Sequence, residues 1–463
     1  MTRFDMVAES AATDYRARVY EFGWQSWTPS SAYVLGTPSH RPQSAARAIS
    51  GYRPDVPKPD DSYQGDGLLA VQGEPNGPVT VVGALDGRSV VPTIRAKAEP
   101  GHGPRRVVSI SSDGPVEVVV DKGPGGIAGA LARYADRYLD RVGRPRLRPT
   151  PPIWASWYQY FTHFTETDLI ENLEAMDRLG LDIGVVRLDD AFQAGIGDWL
   201  ELAGGFTSLP GALDAVTQRG RTPGLWIAPL LVGEDSRLYA EHPEWVVRTA
   251  DGAPTVALYN WDQDCFALDI THPGAAAYIR DVLQTWVSYG MGYLMVDFMF
   301  AGALPGARHD KDVDAITAYR HALTLIRDAI GPDVILQGCG APMFPSIGLV
   351  DTMRVGPDVG LTWAPAGADY SRPGLASALV SSQGRAFTQG RFWLNDADCF
   401  MLRPGIERRE EWSEHVSRYS AARISSDRLA VLDDWGLNRT RELLVPARTD
   451  PFVGLSDDFT AKP

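Results

Sequence analysis

The sequence predicts a (β/α)8 barrel preceded by a small N-terminal β-sandwich, and three observations carry that expectation. Up to about residue 145, short β-like runs are separated by Gly, Pro, Asp and Ser clusters. A segment concentrating proline and arginine follows, from Arg141 to Pro152. Beyond it, apolar strands alternate with polar loops and amphipathic helices, the grammar of a parallel α/β domain. Residues 1–147 are therefore assigned to the sandwich, 148–430 to the barrel and 431–463 to a short C-terminal tail.

The sandwich runs are LLAVQG, VTVVGALDG, RVVSISS and VEVVVDKG, rich in β-branched residues and poor in helical spacing. In the second region the strands are IWASWYQY, IGVVRLDD, PGLWIAP, GYLMVDFMF, VILQGCG, DTMRVGPDV and FWLNDADCF, with a weaker eighth near ISSDRLAVL. Between them lie TDLIENLEAMDRLG, PGAAAYIRDVLQTWVSYG and VDAITAYRHALTLIRDAIG, with apolar residues at helical spacing. The first opens on Thr and ends on Gly, as helix caps require. Eight units over roughly 280 residues fit a barrel, whose usual span is about 250. A doubly wound open sheet is the alternative, but no GxGxxG follows the first strand.

Composition narrows the function. The 463 residues are enough for one large domain and a smaller one. A net charge of −14, with no basic stripe against it, disfavours a nucleic-acid partner. No apolar run is long enough to span a bilayer and the first residues lack a signal-like core, so the expectation is a cytoplasmic protein without a membrane partner. Three cysteines, Cys265, Cys339 and Cys399, without CxxC spacing argue against a disulfide framework or a zinc knuckle. The 13 tryptophans suit either a Trp-rich core or the stacking of sugar rings.

In a barrel, polar residues that end apolar strands face one shared mouth. Here these are Trp157 and Tyr158, Asp189 and Asp190, Trp226, Asp297, Cys339, Arg354 with Asp358, and Asn395, Asp396 and Asp398. Asp297 stands in an almost wholly apolar strand, where an ionised carboxylate needs partners or a task. Asp358 lies four residues after Arg354, past a Gly-Pro that turns the strand into its loop. Two carboxylates from separate strands at one mouth are the equipment of glycoside hydrolysis. Asp189 and Asp190 suit hydroxyl binding, since carboxylates accept O–H strongly. Asp198 and Trp199 offer a further hydroxyl contact and stacking face, with core packing the equal alternative. His163 and His309 fall in mouth-side loops and read as surface histidines. No metal-ligand spacing, GxSxG elbow or Walker loop occurs, so no cofactor is expected.

These segments, in this order, resemble the melibiase-type α-galactosidases of glycoside hydrolase family 36, in a clan shared with families 27 and 31. The resemblance covers roughly Pro151 to Leu402 and rests on IWASWYQYF, RLDD, GLWIAP, HPEW, LDITHP, YLMVDF, MRVGPD and LNDADCF. GWQSW, from Gly23 to Trp27, is similar to part of the sandwich that precedes the family 36 barrel. The resemblance implies a retaining exo-α-glycosidase acting on an oligosaccharide or glycoside, with Asp297 as nucleophile and Asp358 as acid/base. It implies that Asp189 and Asp190 hold the hydroxyls at C4 and C6, Arg354 and Cys339 those near C2 and C3, and that Trp157 and Trp226 shape the ring site.

Three departures stand out. The family usually has Lys two residues before the nucleophile, where this chain has Met295; its DPD reads Asp396–Ala397–Asp398; and its C-terminal β domain is expected to be absent or reduced. The alternatives are a glycosidase for another sugar, such as a pentopyranoside or glucoside, a transglycosylase, or a non-catalytic carbohydrate-binding barrel. A homo-oligomer is left open.

Overall fold

The computed structural model describes residues 3–100 and 106–456. Its N-terminal part holds two antiparallel sheets. One is ordered Asp5–Ala12, Arg106–Ser112, Thr93–Pro100, Tyr63–Asp66. The other is ordered Ser31–Val34, Arg18–Glu21, Leu68–Gln72, Val79–Ala84, Val116–Asp121. Alternation along the strands explains why the second sheet is apolar on both faces. Val19, Leu69, Val71 and Val82 face the first sheet, together with Ile94, Val108 and Ile110. Tyr20, Leu68, Ala70 and Val81 face the other way, into the larger core shared with the barrel.

That second face is covered by the helix Gly126–Val142, which buries Ile127, Leu131, Tyr134, Tyr138 and Leu139. From sequence this region shows few helical periods and is assigned to the sandwich. The spacing of these residues is helical, but the β-rich runs on either side masked it.

Eight short parallel strands form the second domain: β1 (Ile153–Ala155), β2 (Val185–Leu188), β3 (Thr222–Ile227), β4 (Tyr293–Val296), β5 (Ile335–Gly338), β6 (Thr352–Arg354), β7 (Leu394–Asp396) and β8 (Ile424–Ser425). Their order is β7-β6-β5-β4-β3-β2-β1-β8. The ring closes where Phe400, just past β7, bridges to Ser425 of β8 in parallel, with Phe400 N–H donating to Ile424 O at 2.8 Å. The fold is thus the (β/α)8 barrel with its N-terminal sheet domain.

The first outer helix, Glu166–Leu179, starts at a Thr165/Asp168 capping box and stops at Gly180 with φ +60°. Pro273–Ser288 and Ala315–Ile330 follow β3 and β4, capped by His272 and Asp314. After β5 the helix shrinks to one turn, Met343–Ser346. The N-terminal domain fills that gap, since Phe344 meets Phe22 and Tyr138 edge-on at 5.6 and 5.4 Å. The stretch assigned to a C-terminal tail contains the helix Asp434–Leu443, which follows β8 and buries Gly436, Thr440 and Leu443. The α/β pattern therefore runs on past residue 430.

The middle of the barrel is polar where such barrels are usually packed with Val, Ile and Leu. Arg187 of β2 donates to Gln337 Oε1 of β5 at 3.2 Å, and Gln337 reaches Asp396 of β7. Tyr293 of β4 also bonds Gln337, and Arg354 Nε of β6 lies 3.2 Å from Asp396 Oδ2. Contacts between strands that are not neighbours must cross the barrel interior. This network is the floor of the site above it.

Candidate active site

The strand ends converge on a cavity whose carboxylates are Asp189, Asp190, Asp297 and Asp358. Trp27, Trp157, Trp226, Trp261 and Phe298 supply its aromatic wall, and Arg187, Asn260, Met295 and Arg354 complete it.

Asp297 follows β4 directly. Its Oδ1 accepts from Phe298 N–H at 2.7 Å, its Oδ2 from Trp226 Nε1–H at 3.2 Å, and the Cys339 thiol donates to it as well. Phe298 itself takes φ +52°, in the left-handed region. Burial pushes the Asp297 carboxyl up to about 6, and the neighbouring Asp358 carboxylate adds to the rise. It is ionised at neutral pH and held by donors along a fixed direction.

Asp358 comes from the loop after β6 and is the wetter of the two, with 36% of its side chain exposed. Arg354 Nη1 lies 2.8 Å from its Oδ1. The same guanidinium also reaches Asp396 at 3.2 Å and Asp398 at 2.6 Å, so one buried cation serves three carboxylates. Asp398, in turn, sits at φ +91°, accepts from Val359 N–H at 2.9 Å and binds the Tyr158 hydroxyl. These bonds fix the start of the loop that presents Asp358.

Asp189 and Asp190 end β2. Asp189 N–H donates to Ser156 Oγ at 3.0 Å, and Asp189 Oδ2 lies 2.8 Å from Arg187 Nη2. Asp190 accepts from Trp261 Nε1–H at 2.7 Å and from Gln193. Burial pushes Asp190 up to about 6, against those two hydrogen bonds.

Two wall segments come from outside the barrel strands. Between β3 and β4 a hairpin of Val256–Asn260 and Gln263–Ala267 turns through Trp261 and Asp262, at φ +51° and +57°. That turn drops Trp261 onto Asp190. The other segment is Gly23–Thr28 of the N-terminal domain, which brings Trp27 to 5.1 Å from Phe298, edge-on. Buried Arg385 pins it, donating to the carbonyls of Gln25, Ser26 and Thr28 at 2.7–2.8 Å and to Val355 O, just past β6, at 3.0 Å. Neither Trp261 nor Trp27 had been singled out as a binding residue in the sequence.

Four of the expected binding residues do not line the cavity. Tyr158 is buried against Asp398, one residue beyond Trp157, which does line it. Cys339 is fully buried and touches Asp297 from behind. Trp199 is fully buried, its ring edge-on to Trp226 at 6.1 Å, so it backs the wall without forming it. Asp198 caps the short helix Arg237–Glu241, accepting from the N–H groups of Arg237 and Leu238 at 3.0 Å each. His309 donates its N–H to Asp269 and meets His272 ring to ring, and neither it nor His163 reaches the cavity. Among the described residues no cluster of His, Cys, Asp and Glu could hold a metal ion.

A (β/α)8 barrel with two strand-end carboxylates over an aromatic-walled cavity has the make-up of a glycoside hydrolase. Comparison with known proteins sharpens that class. The Melibiase family model matches residues 111–329. The α-galactosidase TtGalA of Thermus thermophilus, solved with p-nitrophenyl α-D-galactopyranoside, superposes with a TM-score of 0.78 at 27% identity. That superposition covers 94% of this chain and 88% of TtGalA. α-Galactosidase AgaA of Geobacillus stearothermophilus is 25% identical over 249 residues, 48% of this chain and 32% of AgaA. The AgaA crystal structure superposes with a TM-score of 0.61 at 13% identity, a likeness of fold. The chain is thus similar to melibiase-type α-galactosidases over the segment that the family model matches and in its fold. It matches about a third of the length of curated AgaA, and 16% of the bifunctional α-galactosidase/sucrose kinase AgaSK of Mediterraneibacter gnavus, to which it is 26% identical over 151 residues.

Proposed function

We propose that the protein hydrolyses terminal α-linked galactosides with retention of configuration. The observation that carries this reading is the pair Asp297 and Asp358, from two strands of one barrel, lining one cavity in contrasting surroundings. Asp297, dry and aligned by three donors, attacks the anomeric carbon and forms a glycosyl ester. As the C–O bond to the aglycone breaks, Asp358 gives its proton to the leaving oxygen. Asp358, open to solvent, then takes a proton from water, whose oxygen attacks the same carbon and frees Asp297. Two inversions return the α-anomer.

Asp189 and Asp190 receive sugar hydroxyls, and Trp157, Trp226 and Trp261 enclose the apolar face of the ring. Galactose as the sugar is supported by the likeness to TtGalA, whose complex holds an α-galactoside. The test is to follow p-nitrophenyl α-galactoside by absorbance and by proton NMR. The expected result is nitrophenol release with α-galactose as the first-formed anomer. First-formed β-galactose would contradict retention, and no release from any α-glycoside in a nitrophenyl panel would remove the hydrolytic reading.

A further inference from the structure

The cavity wall carries two permanent cations, and they differ in how fully they are engaged. Arg354 points Nε, Nη1 and Nη2 each at a carboxylate, leaving little for a ligand. Arg187 is as deeply buried, at 1% side-chain exposure, but it is less satisfied. Nη1 donates to Gln337 and the guanidinium also hydrogen-bonds Tyr293, while Nε has no acceptor. Its carboxylate neighbour is in the complementary state. Asp189 Oδ2 lies 2.8 Å from Arg187 Nη2 without an aligned hydrogen bond and accepts from no other donor, though its side chain is only 6% exposed.

Buried donors and acceptors are nearly always paired, because leaving one unpaired costs about 1–3 kcal/mol. An unmatched donor and an unmatched acceptor, on two neighbouring side chains of one cavity wall, are together the complement of a hydroxyl. A hydroxyl oxygen accepts from the guanidinium while its proton goes to the carboxylate. Asp190 is less available, since Trp261 and Gln193 already occupy its two oxygens. Met295 of β4, which also lines the cavity, brings no donor at all.

We propose that Arg187 is a specificity-determining residue of the sugar site, binding one ring hydroxyl jointly with Asp189. The proposal rests on the α-galactosidase reading for the choice of sugar and not for the geometry. Arg187 enters the cavity from β2, so the hydroxyl it selects is one on the Asp189 side of the ring.

The test uses titration calorimetry of the full chain with galactose and with its 2-, 3-, 4- and 6-deoxy forms, beside hydrolysis of p-nitrophenyl α-galactoside. Arg187→Met is expected to weaken galactose by about 30-fold and raise KM in step. Arg187→Lys keeps the charge without the fork and should fall between. One deoxy sugar, lacking the contacted hydroxyl, should bind poorly to wild type and lose no further affinity in Arg187→Met. Unchanged galactose affinity in Arg187→Met, or an equal loss for every deoxy sugar, would mark Arg187 as barrel packing and overturn the proposal. If Arg187→Met does not fold, the same deoxy series on Arg187→Lys decides. Wild type that binds galactose but cleaves no α-galactoside would sink the hydrolytic reading and leave the Arg187 assignment to be judged by the deoxy series. Wild type that binds no galactose would overturn both.

Discussion

Asp297 and Asp358 leave strands separated only by β5, yet they live in different surroundings. Asp297 sits on the barrel floor, under tryptophan, with each oxygen held by a donor. Asp358 stands on the rim, more than a third exposed, tethered by one arm of a shared arginine. On the proposed mechanism, the contrast teaches that one residue type acquires two roles from its setting. A fixed, desolvated carboxylate suits bond formation to carbon, while a solvated one at the mouth suits proton traffic with leaving group and water.

The largest expected effect comes from removing the floor residue. Asp297→Ala should lower kcat/KM for every α-galactoside by at least about 10⁴-fold, because no covalent intermediate can form. Asp358→Ala should cost about 10²–10⁴-fold with alkyl or sugar aglycones, which need a proton, and much less with an activated nitrophenyl group. Steady-state kinetics on both aglycone types checks this. Equal losses for the two variants on both substrates would erase the distinction.

A smaller effect separates the two settings by pH. With Asp297 pushed up to about 6, the acid limb of kcat/KM should fall through about pH 6, and Asp190, also near 6, should steepen it beyond a single proton. The same raised value makes Asp297 a stability cost at neutral pH. Its folded form holds the proton more tightly than the unfolded chain, so the contribution of this one residue to stability is greatest below about pH 4 and is lost as pH rises through about 6. Asp297→Asn should therefore melt about 2–3 °C above wild type at pH 7, with the gap closing toward pH 4. A lower melting temperature for Asp297→Asn at pH 7 would contradict the dry-floor description.

The smallest effect marks the edge of the site. Asp198→Ala removes a helix cap and should cost about 1 kcal/mol of stability with KM unchanged. A tenfold rise in KM would return Asp198 to the sugar.

Much of this was legible in the chain. The barrel showed in strands whose apolar runs end in acids, and Asp297 in the conflict between a carboxylate and GYLMVDFMF. Arg187 posed the same conflict in IGVVRLDD and was passed over because the two acids after it drew the reading. Tyr158 lies beside the wall residue Trp157 in sequence, while Cys339 and Trp199 are buried behind the wall, and sequence order alone does not say which way each side chain turns. Trp261 had a local signal, two short β-like runs around Asn260–Trp261–Asp262. Trp27 had none. Its place depends on Arg385, more than 350 residues away, gathering the carbonyls of Gly23–Thr28.

The most direct measurement is to trap the intermediate. Incubation with a fluorinated α-galactosyl fluoride that slows deglycosylation, followed by proteolysis and mass spectrometry, should find one sugar esterified to the peptide carrying Asp297 and none on that carrying Asp358. Sugar on any other residue, or a protein that turns over α-galactosides while never accumulating an adduct, would contradict Asp297 as the nucleophile.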